Sequence, residues 1–345
     1  MKLYEITLKP KSGFGTPLKG DTIFGHICWQ AAYDEGLFGK NVEKLLEDYD
    51  NNPFIVVSSA FFKIEEGNNV KRIFKRPDMP LSKLFNFINT EKKEVISKRK
   101  ELKSKKWLIM DSKEKINSLK ELKYISEKEL DTKLFSGANK DVRKNKKGYN
   151  ISLFKDFTQP HNTINRLTNT TGKGRFAPFT SDQVVFNKDV MLFVFAAIRE
   201  DISISQLKTA FQRIGETGFG KDASTGLGKF DIFSINEVNL FVFGSPNPNA
   251  CYTLSPCIPE KGIFSDFYFI PFTRFGRHGD VLAKSKNPFK NPILMADEGA
   301  VFVSENMKEI LKKPYIGRAI TGISKVLETA VTQGYALYIP VKVEA

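Results

Sequence analysis

The chain has 345 residues, 41% of them hydrophobic and thirty of them phenylalanine, so it can bury substantial cores and is long enough for two domains. Its formal net charge of +14 points toward a polyanionic partner, although a basic balance also suits solubility or thermal adaptation. Three cysteines without CxxC spacing, Cys28, Cys251 and Cys257, fit a reducing cytoplasm and no structural zinc. The start MKLYEITLKPKSG lacks an apolar core, and the longest apolar run, Val190 to Ile198, is only strand length; neither signal peptide nor membrane span is expected.

KLYEITLKP alternates Leu3, Glu5 and Thr7 against Tyr4, Ile6 and Leu8, the period of a strand. After the turn SGFGTPLKG, the stretch DTIFGHICWQAAYDEG predicts a helix with Asp21 as N-cap and Gly36 near its end. Ile23, Phe24, Ile27, Cys28 and Ala31 form its apolar face, and Thr22, His26, Trp29 and Tyr33 form a neighbouring stripe that suits either packing or RNA stacking. PFIVVSSAFFKIE predicts a second strand, ended at Arg76, Pro77 and Pro80.

Residues 91–147 change in character. They hold 19 Lys and Arg against 10 Asp and Glu, so +9 of the +14 sits here. Weakly spaced Leu102, Leu108, Ile109, Ile116, Leu119, Leu122 and Ile125 predict a lysine-rich helical insertion whose charges form a solvated face, with NKDVRKNKKGYN a mobile loop.

Order resumes at Thr158. Over residues 158–187, polar and basic residues surround the glycine turn Gly172-Lys173-Gly174 and predict a projecting hairpin. Its His161, Asn162, Asn165, Arg166 and Arg175 can serve phosphate, sugar and base edges. VMLFVFAAI is a strand. A helix follows with the capping box Ser203 and Gln206, the apolar positions Ile204, Leu207, Ala210, Phe211 and Ile214, and Gly215 as its stop.

Then comes GETGFGKDASTGLGKF, with five glycines (Gly215, Gly218, Gly220, Gly226, Gly228) around Lys221, Asp222, Ser224 and Thr225. It is not a Walker A loop, because Asp222 stands where Ser or Thr must hold Mg²⁺ and the loop follows a helix. It is not a dinucleotide loop either, since Ala223 occupies the third glycine position. Main-chain N–H groups and one lysine remain, suited to the phosphates or sugars of a polymer; an ordinary glycine-rich connection fits the same residues.

Without insertion and hairpin, residues 1–236 read strand, helix, strand, strand, helix, strand, the ferredoxin-like order. Residues 237–345 form a second unit. FVFGSPNPNACYTLSP carries the turn residues of a hairpin, GIFSDFYFIPFTRFGRHGD runs from a strand into a basic glycine turn from Arg274 to Asp280, and GYALYIPVKV closes the chain as a strand. This second unit is expected to be a degenerate ferredoxin-like domain, giving an α+β chain of two such domains.

The helix followed by the glycine loop of residues 215–228 and a strand resembles the signature of the RAMP superfamily of CRISPR RNA-binding subunits. LKGDTIFGHICW, HNTINRLTNTTGKG, FGRHGD and NPFKNPILMADEGAVF narrow the resemblance to subunit four of type III-A (Csm) effector complexes. It runs nearly end to end and leaves out most of 91–147. The resemblance implies two RRM-like RAMP domains and an antiviral subunit that holds the 5′ handle of crRNA. It also implies docking to a large polymerase/cyclase-like subunit and to the backbone subunits, with the hairpin as a thumb. Carried over to this chain, the implied contacts are the glycine loop, the turn Lys19-Gly20-Asp21, Asn162, Arg166 and Arg277, with His161, Arg175 and Arg274 in basic turns beside them.

The alternative is an enzyme. Relatives in that superfamily cut precursor crRNA without metal, and His26 lies on a helix where a general base can sit, though without a partner evident in sequence. Three scattered histidines make no metal pair. No strand carries the aromatic pattern of an RNA-reading RRM.

Overall fold

The computed structural model describes residues 1–344 except 67–68, 87–91, 112–113, 117 and 136–151. The loop expected at 139–150 lies outside the described residues. An eight-stranded antiparallel sheet is built from β1 (Lys2–Pro10), β2 (Ile55–Val57), β3 (Phe61–Glu66), β4 (Asn69–Lys75), β5 (Trp107–Asp111), β6 (Tyr124–Ile125), β9 (Met191–Ile198) and β10 (Phe230–Glu237). Its order is β10-β1-β9-β3-β4-β5-β6, with β2 also on β9. β7 (Phe154–His161) and β8 (Phe179–Phe186) form a separate antiparallel pair.

A five-stranded sheet in the order β12-β15-β11-β17-β16 uses β11 (Ala250–Thr253), β12 (Asp266–Tyr268), β15 (Val301–Val303), β16 (Tyr315–Gly317) and β17 (Tyr335–Val341). β13 (Pro271–Arg274) pairs with β14 (Ile293–Ala296). The helices are α1 (Gly20–Tyr33), α2 (Val42–Leu46), α3 (Leu81–Leu84), α4 (Lys92–Ser104), α5 (Glu127–Phe135), α6 (Ile204–Thr217) and α7 (Met307–Ile310).

Both faces of β1 are buried. Ile6 and Leu8 lie in the main core, while Glu5 on the other face pairs with Lys63 at 3.1 Å and Arg72 at 2.6 Å, with Arg72 stacked over Phe243. The second predicted strand is two. Ser58-Ser59-Ala60 breaks it, Ser58 Oγ accepts from Phe195 N at 2.8 Å, and Ser59 N turns away to donate to Leu254 O. Just before the break, the buried Gln333 side chain accepts from Val57 N at 2.9 Å and donates to Val57 O at 2.7 Å. One apolar core consequently runs from Phe74 and Tyr49 into Tyr252 and Tyr335 without dividing at residue 237.

Several expectations are corrected. Asp21 is not the N-cap; Lys19 holds that position with no side-chain cap, and Asp21 lies inside the first turn. Gly215 does not stop α6, which runs two residues further to a C-cap at Gly218, although the Ser203–Gln206 capping box forms as expected. Residues 91–147 are not only a charged helix: β5 and β6 extend the main sheet, and Leu108, Ile116, Leu119, Ile125 and Leu130 are buried in its core. The apolar spacing looked weak because strand and turn positions interrupt the helical period. The hairpin arms start at Phe154, four residues earlier than expected. FVFGSPNPNACYTLSP is no hairpin; β11 pairs with β15 and β17, which are distant in sequence.

Candidate nucleic-acid interface

The glycine loop is clamped on three sides. The turn after β1 supplies Gly13 O to Gly228 N at 2.7 Å and Thr16 Oγ1 to Lys221 N at 2.9 Å, and Ser12 Oγ accepts from Lys229 N at 2.9 Å. From α1, His26 Nε2 accepts from Gly220 N at 3.0 Å and its ring lies 4.6 Å from that of Phe219. From the hairpin, Ser181 Oγ donates to Asp222 Oδ2 at 2.6 Å. Burial without a charged partner pushes the His26 pKa down to about 4.

Most of the loop's N–H groups are spent on this clamp. Gly218, Phe219, Thr225, Gly226 and Leu227 donate within the helix end and the loop, as Gly220, Lys221 and Gly228 do to their neighbours. Among the described residues, the N–H groups left unpaired are those of Asp222, Ala223 and Ser224, beside the exposed Lys221 and Ser224 side chains. The glycines likewise serve internal closeness. A Cβ on Gly215 would meet Phe230 O at 2.2 Å, one on Gly218 would meet Leu227 O at 2.5 Å, and one on Gly220 would meet Thr16 Cβ at 2.5 Å. Gly226, at φ +99°, faces open space.

The Lys19-Gly20-Asp21 turn and Arg274 form a second, inward-facing cluster. Lys19 Nζ contacts Asp297 at 2.5 Å and Glu298 at 2.7 Å and lies over the Phe272 ring. Asp21 receives both Nε and Nη2 of Arg274, at 2.5 and 2.8 Å. Gly20 is buried where a Cβ would meet Val57 O at 2.5 Å. Both cations are thus paired with carboxylates of this chain, so a phosphate reaching either would compete with Asp297, Glu298 or Asp21. Lys19→Ala leaves Glu298 without its cation and Asp297 with Lys75 alone, at 3.3 Å, so a loss of about 2 kcal/mol is expected in urea unfolding; an unchanged midpoint would show that Lys75 and solvent screen the cluster.

The remaining implied residues stand outward. Asn162 and Arg166 are exposed in the connection between β7 and β8, and Arg166 has no carboxylate partner among the described residues. His161 stacks on Phe179, with ring centroids 5.0 Å apart. Arg175 lies in the short turn Gly174–Phe176, and its side chain is outside the described residues. Exposed Arg277 donates to Ala283 O at 3.2 Å and lies over Phe289, while neighbouring His278 is buried against Ser324. Glycine loop, hairpin and α1 therefore meet, whereas Lys19, Asp21 and Arg274 belong elsewhere. Sequence reasoning missed Ser12, Thr16 and Ser181; the paired glycines of SGFGTP just before the helix were the available signal.

An open groove of 440 Å³ between Phe14, Gly15 and Pro17 on one side and Asp156 to Thr158 and Asp182 to Val184 on the other separates hairpin from turn. Among the described residues, no group of three His, Cys, Asp or Glu is placed to hold a metal, and no helix is long and apolar enough to cross a membrane.

Solved structures share this whole architecture. A Csm1–Csm4 cassette in complex with pppApA gives a TM-score of 0.56 at 15% identity, over 100% of this chain and 98% of the other. The Csm3–Csm4 subcomplex of the type III-A CRISPR-Cas interference complex gives 0.55 at 19% identity, over 99% of each chain. A Csm1–Csm4 cassette with cA3 gives 0.56 at 15%, over 100% of both. In each, the similar chain is Csm4.

This chain has the Csm4 fold. The sequence motifs leave out most of residues 91–147, whereas the likeness of folds is measured over 100% of this chain. By sequence, no family model and no curated protein matches.

Proposed function

We propose that this chain is a non-catalytic, RNA-binding subunit of a type III-A CRISPR interference complex, which holds the 5′ handle of crRNA and bridges the large polymerase/cyclase-like subunit to the backbone subunits. The observation that carries this is the end-to-end likeness to Csm4 chains solved with Csm1 and with Csm3. The main sheet supports a ferredoxin-like first domain, since β10, β1, β9 and β2/β3 run four-one-three-two. The second sheet repeats that order as β17, β11, β15, β12, with its crossover helices reduced to α7, and is read as the degenerate copy. Three unbridged thiols fit a cytoplasmic setting.

On this reading the RNA lies along the hairpin tip and the outer rim of the glycine loop, where Arg166, Lys221 and Ser224 are exposed and the N–H groups of residues 222–224 are unpaired. Protein partners have a surface elsewhere. Of nineteen large apolar side chains exposed among the described residues, eight fall between Ile263 and Leu294, a concentration that favours docking.

Purifying the protein from its own cells and sequencing the bound RNA tests the proposal; uniform short RNAs sharing a 5′ repeat tag support it, and unrelated RNA or none overturns it. Arg166→Ala is expected to weaken RNA binding and to reduce the log–log salt slope by roughly 0.7, the value of one phosphate on a single strand. An unchanged slope would take Arg166 off the RNA.

The enzyme reading asks His26 to act as a general base. Its Nε2 lone pair accepts the Gly220 amide, which puts the neutral ring's proton on Nδ1 and leaves no lone pair free to abstract one. His26→Gln is accordingly expected to leave the length distribution of bound crRNA unchanged, and accumulation of uncut precursor in a folded variant would promote the nuclease.

A further inference from the structure

We infer that α4 is a second RNA-backbone contact, separate from the glycine loop and hairpin. Its described residues Arg99, Lys100 and Lys103, with Lys106 just beyond, are exposed, and none has a carboxylate partner among the described residues. Arg99 and Lys103 fall at i and i+4 on one face of α4, where like charges repel, and Lys106 follows the helix end at Ser104.

The C-terminal end of α4 is nevertheless anchored. Arg76 Nη1 donates to Leu102 O and Lys105 O, each at 2.9 Å, capping the helix C-terminus, and Arg76 N donates to Lys106 O at 2.8 Å. The next residue, Trp107, begins β5 against Lys75 of β4. A merely solvated lysine face has no need of a fixed geometry, whereas a row of unpaired cations pinned to a sheet is preorganised for an array of phosphates.

Five strand spacings separate β10, which the glycine loop enters, from β5, or roughly 24 Å. One phosphate cannot touch both places. The ligand at α4 is therefore a different stretch of RNA from the one at the loop, read through its backbone charge and not its bases. Ile96 is the large apolar side chain exposed on the described part of α4, too little to hold a membrane surface.

The inference rests on the chain's binding RNA, and the experiment separates the two. A 40-nucleotide single-stranded RNA of mixed sequence is titrated across a salt series against the full chain, Arg166→Ala, and a variant carrying Arg99→Gln, Lys100→Gln, Lys103→Gln and Lys106→Gln. The fourfold variant is expected to melt with the wild type and to lose between one and three units of log–log salt slope at roughly 0.7 per phosphate, beyond the loss from Arg166→Ala alone. An eight-nucleotide RNA, too short to span both places with all contacts made, is expected to show a smaller loss. A fourfold variant that keeps the wild-type slope while Arg166→Ala loses its share overturns the α4 contact and leaves the proposed function standing. Absence of RNA binding by the unaltered chain overturns both. Loss of binding to vesicles containing phosphatidylserine, with RNA binding intact, assigns α4 to a membrane and overturns the inference.

Discussion

Gly228→Ala is expected to destabilise the protein by about 3 kcal/mol or more and to abolish RNA binding at the loop. Two costs add. At φ +73°, an L residue is strained by about 1–2 kcal/mol. The new Cβ would also stand 2.2 Å from Phe219 O and 2.4 Å from Phe219 N, and backbone atoms cannot rotate away as a side chain can, so overpacking contributes about another 1–3 kcal/mol. The site is the neck of the loop: Gly228 N donates to Gly13 O, and Gly228 O accepts from Phe219 N at 3.0 Å. Gly226→Ala is the comparison. It shares the positive φ but meets open space, so only the strain is expected. Urea unfolding of the two variants decides; if Gly228→Ala is no worse than Gly226→Ala, the neck yields more easily than its contacts imply.

The second large effect is acid sensitivity at His26. Its folded-state pKa is about 4 against 6.5 for a free imidazole, so between those values the unfolded chain binds the proton and the folded one does not. Stability from this group is thus complete above about pH 6.5 and falls as the pH drops toward 4. The loss amounts to about 2 kcal/mol between pH 7 and pH 5, and about 3 kcal/mol in full. His26→Gln keeps an acceptor for the Gly220 amide and removes the titration. It should therefore be flatter than the wild type over pH 7 to 5 in urea melts, with buried His278, also lowered by burial, contributing equally to both proteins. Parallel pH profiles would mean that the loop opens and solvates His26 at little cost.

Local rules carried the elements whose signals are local. The Ser203–Gln206 box, the strands at 2–10, 191–198 and 230–237, and the glycine-rich link between α6 and β10 all follow from neighbouring residues. What neighbouring residues do not show depends on residues far away. Lys19 and Arg274 look like any basic residues in glycine turns; that they meet Asp297 and Asp21, 278 and 253 positions distant, is a property of the packed chain. The glycine loop was recognised, but not the direction of its N–H groups. That direction is set by Gly13, Thr16 and His26 on separate elements. In 91–147, lysine content masked β5 and β6, because charge dominates a composition reading while a few buried positions such as Leu108 and Tyr124 decide the pairing.

The Gln333 amide that mimics a strand partner for Val57 also constrains the order of events during synthesis. The two residues are 276 positions apart, and at ribosomal rates of about 5–20 residues per second roughly 14–55 s pass between their appearance. Throughout that interval the Val57 N–H and C=O lack their native partner, and the apolar wall that Tyr335 supplies to Tyr49 does not yet exist. The nascent N-terminal half therefore has all eight strands of its sheet but not the packing that Gln333 and Tyr335 supply, the kind of intermediate on which holding chaperones act. Ribosome-bound chains ending between residues 240 and 330 should accordingly be protease-sensitive near Val57, and become resistant there once residue 341 has cleared the exit tunnel.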